Sequence, residues 1–150
     1  MGTNSTDPDA VQQLLDKQAI TEALHRYCLA ADRHDRALGY SVWHDDAVAH
    51  YENLFEGSGR DFVDFGIDAL EQAKIEIASQ HEVSNILIEV DGDEATSESY
   101  VTASMAIGGT GVVNVMKGQY KDSWSRRDGE WRIAERHYVT DIEQTVPASG

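Results

Sequence analysis

The sequence predicts an α+β fold in which helices come first and a curved, mixed or antiparallel sheet follows. Three observations carry this expectation. Apolar side chains recur at helical spacing from Val11 to Ala31. The second half of the chain is a succession of long strand-like segments. Between them stand Asp91-Gly92-Asp93, Gly108-Gly109-Thr110-Gly111 and Arg127-Asp128-Gly129-Glu130, which turn the chain. Long strands in a meander, closed over by helices, suggest a cone with a hydrophobic cavity large enough for a ligand.

The elements follow in order. Residues 1–8 and 145–150 are expected to be a disordered N-terminus and a flexible tail, leaving 9–144 as a single domain. Asp7-Pro8-Asp9 reads as a helix start, with acids suited to the positive end of the dipole. Val11, Leu14, Leu15, Gln18, Leu24, Tyr27, Cys28 and Ala31 form the stripe of a first helix reaching about His34, with Asp32 at the stripe's edge. A short helix fits Arg36 to Trp43 and ends at His44-Asp45-Asp46; Ala47 to Tyr51 then forms a short strand. Asn53 to Gly59 reads as a loop, and a third helix fits Arg60 to about Ser79. Four long strands complete the domain: His81 to Val90, Glu94 to Ile107, Val112 to Arg126 and Trp131 to Asp141.

Composition narrows the function. Twelve basic against twenty-seven acidic residues give a net charge of −15. That argues against nucleic acid and anionic membranes, both of which require a basic surface. No apolar run approaches the roughly 18–20 residues of a membrane span, and the polar first residues show no signal region. The expected location is the cytoplasm. The lone cysteine, Cys28, excludes an intrachain disulfide and a cysteine-based zinc cluster, and its place on the helical stripe makes it a small core residue.

The chemistry-bearing candidates are Tyr27 and Asp32 near the end of the first helix, His81 opening a strand, and Arg136 on the last strand. Imidazole is a good general base near neutral pH. A buried carboxylate on its other nitrogen would fix the tautomer and stabilise the imidazolium, the logic of the hydrolase triad without its serine. Spacing alone leaves open whether Asp32 and His81 meet. A helix-end acid facing water and a histidine at a strand start fit the pattern equally. Alternation leaves Arg136 open too, since strand parity by itself would turn the Ile133, His137 and Val139 face inward.

Trp43, Tyr51, Phe55, Tyr100, Met116, Tyr120 and Tyr138 are candidates to line a hydrophobic pocket. His25, His34, His44 and His50 read as surface or packing residues. The set His44, Asp45, Asp46 and His50 matches no metal-binding spacing, so no metal is expected.

Helix 1 with Tyr27 and Asp32, Trp43-His44-Asp45-Asp46-Ala47, His81-Glu82-Val83-Ser84-Asn85 and Arg126-Arg127-Asp128-Gly129-Glu130-Trp131-Arg132 resemble, in order and spacing, the SnoaL-like branch of the NTF2-like superfamily over about residues 10–141. Within it the chain resembles the cofactor-independent lyases: hexachlorocyclohexane dehydrochlorinase, bile-acid 7α-dehydratase and, more distantly, scytalone dehydratase. The resemblance implies an α+β cone, a homo-oligomer (a trimer before a dimer), a small hydrophobic substrate and no cofactor. It implies that His81 and Asp32 form a catalytic dyad, that Arg136 helps a leaving group or substrate oxygen in the pocket, and that Tyr27 matches the dehydratase's tyrosine. No carboxylate occurs in Tyr100-Val101-Thr102-Ala103-Ser104, where the bile-acid enzyme has one, so the same substrate is not implied.

The reaction implied is elimination, with loss of water as the default. Loss of formaldehyde from lignin-derived aryl diols and ketosteroid-type isomerisation are alternatives within the same chemistry. A non-catalytic NTF2-like binding or assembly subunit is the alternative outside it. That subunit would have a filled cone and an inaccessible His81.

Overall fold

The computed structural model describes residues 7–148. Helix α1 (Pro8–Arg33) is capped by the Asp7 carboxylate, which accepts the Asp9 N–H, and has proline in its first turn. It ends where His34 adopts a left-handed conformation. Burial begins at Asp16 and continues through Ile20, Ala23, Leu24, Tyr27 and Cys28. The Asp16 carboxylate accepts from the indole of Trp131 and from Arg126 and Gln12, pinning the helix to the far strands. The first two turns lie beyond that anchor. Val11, Leu14 and Leu15, expected on the buried stripe, are therefore exposed.

Helix α2 (Arg36–Ser41) is shorter than the expected Arg36 to Trp43, and β1 (Trp43–Tyr51) already includes His44-Asp45-Asp46. An irregularity between Trp43 and Val48 lets those acids leave the ladder, where Asp45 pairs with Arg60 and Asp46 with Arg127. The expected loop over Asn53 to Gly59 contains a strand, β2 (Phe55–Ser58), which pairs antiparallel with β1. Helix α3 (Gly59–Ala73) opens on a Ser58 cap and ends at Ala73, six residues short of the expected Ser79, as Lys74 turns left-handed. A Cβ on Gly59 would lie 2.1 Å from the Trp43 ring, so only glycine lets α3 start against that indole.

Strands β3 (Ile77–Asp91), β4 (Glu94–Ile107), β5 (Val112–Arg127) and β6 (Glu130–Pro147) complete the sheet. β3 starts four residues before the expected His81, because Ile77–Gln80 pair with β4. β6 continues past the expected Asp141, and Thr145–Pro147 pair with Asn114–Val112. That stretch of the expected flexible tail is therefore strand. Residues 149–150 lie outside the described residues. At the other end, Pro8 is already helical and residues 1–6 likewise lie outside them. Among the described residues no helix is long and apolar enough to cross a membrane.

The strand order is β2-β1-β6-β5-β4-β3, with β1 and β6 parallel and every other pair antiparallel. The sheet is curved and unclosed, and bulges bend it. In β3, Asn85 (φ 54°) and Ile86 sit together opposite Ser99, so both His81–Val83 and Ile86–Val90 present inward side chains. In β6, Ala134 is the extra residue between the Ile133 and Glu135 pairings. The core between sheet and helices is built on Trp43, Trp124, Ile20, Leu24 and Ile133, all nearly inaccessible.

Candidate active site

α1 ends directly over β3, an edge strand whose outward N–H groups have no neighbouring strand to bond. The Asp32 carboxylate takes that role. The His81 backbone N–H donates to both of its oxygens at 3.0 Å, and the Ser79 hydroxyl donates at 3.1 Å. His81 Nδ1 lies 2.6 Å from Asp32 Oδ1. An acceptor so occupied calls for the Nδ1–H tautomer, which leaves the lone pair on Nε2. His81 lines the cavity, and Nε2 has no hydrogen-bond partner among the described residues.

The cavity holds about 270 Å³ and its wall is largely apolar. Val101, Ala103 and Met105 of β4 and Met116 of β5 form its floor, and α3 contributes Phe62 and Phe65. Phenols complete the wall: Tyr27 and Tyr51 line the cavity with their hydroxyl oxygens 2.6 Å apart. Burial pushes both far above the usual range for tyrosine, so both stay protonated as hydrogen-bond donors.

Arg136 departs from expectation. It points inward but is fully buried behind the tyrosines and does not line the cavity. Its Nε and Nη2 donate to the two oxygens of buried Asp122 at 2.7 and 2.8 Å. Its guanidinium carbon lies 3.6 Å from the centre of the Tyr120 ring and 4.4 Å from that of Tyr27. Burial disfavours the charge most, but Asp122 together with the Tyr51 and Tyr120 phenols outweighs it and holds Arg136 well above its ordinary value. Besides this stacking on two cavity-lining rings, it touches the lining through a 3.5 Å contact from Nη1 to the Tyr51 hydroxyl. The bulge at Ala134 explains the parity conflict, because it turns both Ile133 and Arg136 inward and leaves His137 exposed.

Of the expected pocket residues, Tyr51, Met116, Tyr120 and Tyr138 line the cavity. Trp43 is core, edge-on to Tyr27. Phe55 packs behind Phe62 and Phe65. Tyr100 is on the outer face of β4 and half exposed, since Val101 and Ala103 take the inward parity. The set His44, Asp45, Asp46 and His50 is dispersed, with His44 bonded to the Ser125 carbonyl. Sequence reasoning missed Asp122 and Ser79. Asp122 had a signal: an acid between Tyr120 and Trp124 on the inward parity of a strand asks for a buried cation. Ser79 had none, because that stretch read as helix.

Known proteins share the fold of this chain. The SnoaL-like domain model matches residues 12–137, and the chain belongs to that family. No curated protein sequence matches the chain. A hexachlorocyclohexane dehydrochlorinase from Novosphingobium barchaimii superposes with a TM-score of 0.80 at 17% identity, covering 91% of this chain and 94% of that one. A scytalone dehydratase-like protein from Novosphingobium aromaticivorans gives 0.79 at 22% identity, covering 94% and 93%. A Mycobacterium tuberculosis protein of unknown function gives 0.78 at 25% identity, covering 92% and 78%. The architecture of these neighbours is the NTF2-like cone expected from the sequence.

Proposed function

We propose that this protein is a cofactor-independent lyase that eliminates water from a small hydrophobic, oxygenated ring compound. One observation carries the reading: a histidine tethered to a carboxylate through Nδ1 and its own backbone N–H, on the wall of an apolar cavity. His81 Nε2 takes a proton from a carbon next to a carbonyl, and the electron pair of that C–H bond becomes the new double bond. The C–O bond on the neighbouring carbon breaks. The imidazolium, stabilised by Asp32, returns its proton to the departing oxygen, so the substrate loses water and His81 ends neutral. Tyr27 donates a hydrogen bond to the oxygen that gathers charge. Burial raises its pKa, which favours the neutral, donating form. Arg136 keeps the position of a support for Tyr51 in this reading, in place of the leaving-group contact implied by resemblance.

The paired hydroxyls of Tyr27 and Tyr51 on the cavity wall favour oxygenated over halogenated substrates. Simple isomerisation begins with the same abstraction from carbon and returns the proton to another carbon. Loss of formaldehyde from an aryl diol would set the same base on the terminal hydroxyl, the C–C bond breaking as the carbonyl of formaldehyde forms and its electron pair passing into the substrate's conjugated system. An open cavity with His81 on its wall weighs against a binding subunit with a filled cone. Exposed Leu87 and Tyr100 on β3 and β4, with Val139 and Ile142 on β6, support self-association, which light scattering coupled to gel filtration measures.

The test is incubation in D2O with hydroxylated steroids, polyketide-like ketones and aryl diols, following mass and conjugated absorbance. Exchange or elimination that disappears in a folded His81→Ala variant supports the reading and identifies the substrate class. Turnover that persists in that variant overturns His81 as the base.

A further inference from the structure

The outer face of the sheet, behind the cavity, carries a cluster with no part in the proposed chemistry. His50 and His137 are direct neighbours across the parallel β1–β6 pair, and Glu135 lies two residues before His137 on the same face. On a strand, residues two apart share a face about 6.6 Å apart, and neighbouring strands lie about 4.8 Å apart. Three such side chains therefore converge on one point. They do so here: His50 Nε2 and His137 Nε2 lie 3.0 and 3.1 Å from the same oxygen, Glu135 Oε1. The two rings are stacked with centroids 4.3 Å apart. On its other side, His50 Nδ1 is 2.6 Å from the Glu56 carboxylate of β2.

The chemistry of the cluster makes this arrangement informative. Two imidazole nitrogens from neighbouring strands converge on one carboxylate oxygen. The three ligand atoms lie within 4.8 Å of one another, and imidazole and carboxylate are donors to the same class of metal ions. Tetrahedral metal–nitrogen and metal–oxygen bonds of about 2.0–2.2 Å place ligand atoms about 3.3–3.6 Å apart, so the two nitrogens need draw back from the oxygen by only a few tenths of an ångström to admit an ion. Glu56 supplies the outer carboxylate that commonly orients a ligating histidine. The overall charge of −15 favours a cation further.

We propose that His50, His137 and Glu135 form a binding site for a divalent first-row transition ion of the zinc class, clamping β1 to β6 on the face opposite the cavity. Two imidazoles and one carboxylate are the donor set such ions take, with the exposed side open to water. The site shares His50 with the set His44, Asp45, Asp46 and His50 weighed from sequence but takes its other two ligands from β6. It stands independently of the lyase reading, because none of the three ligands lines the cavity.

The test uses tag-free, chelator-stripped protein titrated with ZnCl2 by calorimetry, and with CoCl2 by visible absorbance. The expected result is one zinc per chain, a cobalt spectrum displaced by zinc, and a raised melting temperature. His137→Ala and Glu135→Gln, both at exposed side chains, weaken binding about 10-fold or more, as does Glu56→Gln through the orientation of His50. A His81→Ala variant binds zinc like the parent. Absence of saturable binding overturns the proposal. So does binding unchanged in His137→Ala and Glu135→Gln, since the ion would then sit elsewhere on the acidic surface.

Discussion

His81 and Asp32 are joined by side chain and by backbone at once. The imidazole Nδ1 lies 2.6 Å from the carboxylate, and the His81 N–H donates to both carboxylate oxygens at 3.0 Å. The acid that sets the tautomer of the base thus also fixes the strand that carries it. This separates two effects of substitution. In Asp32→Asn, the amide oxygen still accepts the His81 N–H, so the melting temperature should change little. The imidazolium loses its anion, however, and the turnover number should fall about 10²–10⁴-fold with little change in KM. Steady-state kinetics beside a thermal melt check both halves. A large fall in stability with unchanged turnover would show Asp32 to be only a structural clamp.

The paired phenols make a second prediction. Tyr27 and Tyr51 each satisfy the other's hydroxyl, 2.6 Å apart in a buried setting. Removing one oxygen strands its partner at a cost of about 1–3 kcal/mol, while removing both costs less than the two singles summed. Stability should therefore follow that non-additive pattern in Tyr27→Phe, Tyr51→Phe and the double variant. Activity should not. Tyr27→Phe should lose nearly as much rate as the double variant, because Tyr27 is the proposed donor to substrate. Urea denaturation and kinetics on the three variants separate the two behaviours.

Much of this site was legible in the sequence, and the misses have physical causes. α1 announced itself through spacing and its Asp7-Pro8 start, which placed Tyr27 and Asp32 near its end. Burial of its first turns was wrongly expected, because spacing does not show where the sheet stops covering the helix. Ile77 to Ser79 read as helix although pairing with β4 makes it strand, which concealed Ser79 beside Asp32. Period-two reasoning could not orient Arg136, since the bulge at Ala134 resets the alternation. The dyad itself needed tertiary information: 49 residues separate its members, and only the packing of α1 on β3 joins them.

Asp64 supplies a pH dependence. It accepts from the Tyr40 hydroxyl and pairs with Arg36, tying α2 to α3. The Tyr40 hydrogen bond, joined by Arg36, holds its carboxyl below the ordinary carboxylate value. A depressed folded-state pKa contributes stability that is fully present above the unfolded value and is lost as pH falls through the folded one. Asp64→Asn should therefore destabilise the protein at neutral pH. The gap between variant and parent should close progressively below about pH 4. Urea midpoints measured from pH 7 to pH 3 read this directly, and a gap that widens on acidification would refute the assignment.

Cys28 should be chemically quiet. Burial pushes its thiol up to about 12, against an ordinary 9.0. At pH 8 that difference leaves about a thousandfold less thiolate than in the unfolded chain, and the thiolate is the reactive form. A thiol-disulfide reagent should label the native protein at least that much more slowly than the protein in denaturant. Fast labelling under native conditions would mean that α1 opens away from the sheet.

Arg136 and Asp122 yield the sharpest structural prediction, because both side chains are wholly excluded from solvent. Their two parallel hydrogen bonds compensate charges that would otherwise be costly to bury. Arg136→Met strands the Asp122 carboxylate, and Asp122→Ala strands a guanidinium beneath three aromatic rings. Each single change should cost about 3–5 kcal/mol. The double variant leaves no stranded charge, so its loss should be smaller than either single loss despite the greater change in composition. The rings of Tyr27 and Tyr120 stack on this guanidinium, so activity recovered in the double variant would mean that the pair serves the fold alone. Activity still lost in a folded double variant would mean that the buried charge is needed to hold the phenols toward substrate. Chemical denaturation followed by kinetics on the same three proteins distinguishes these cases.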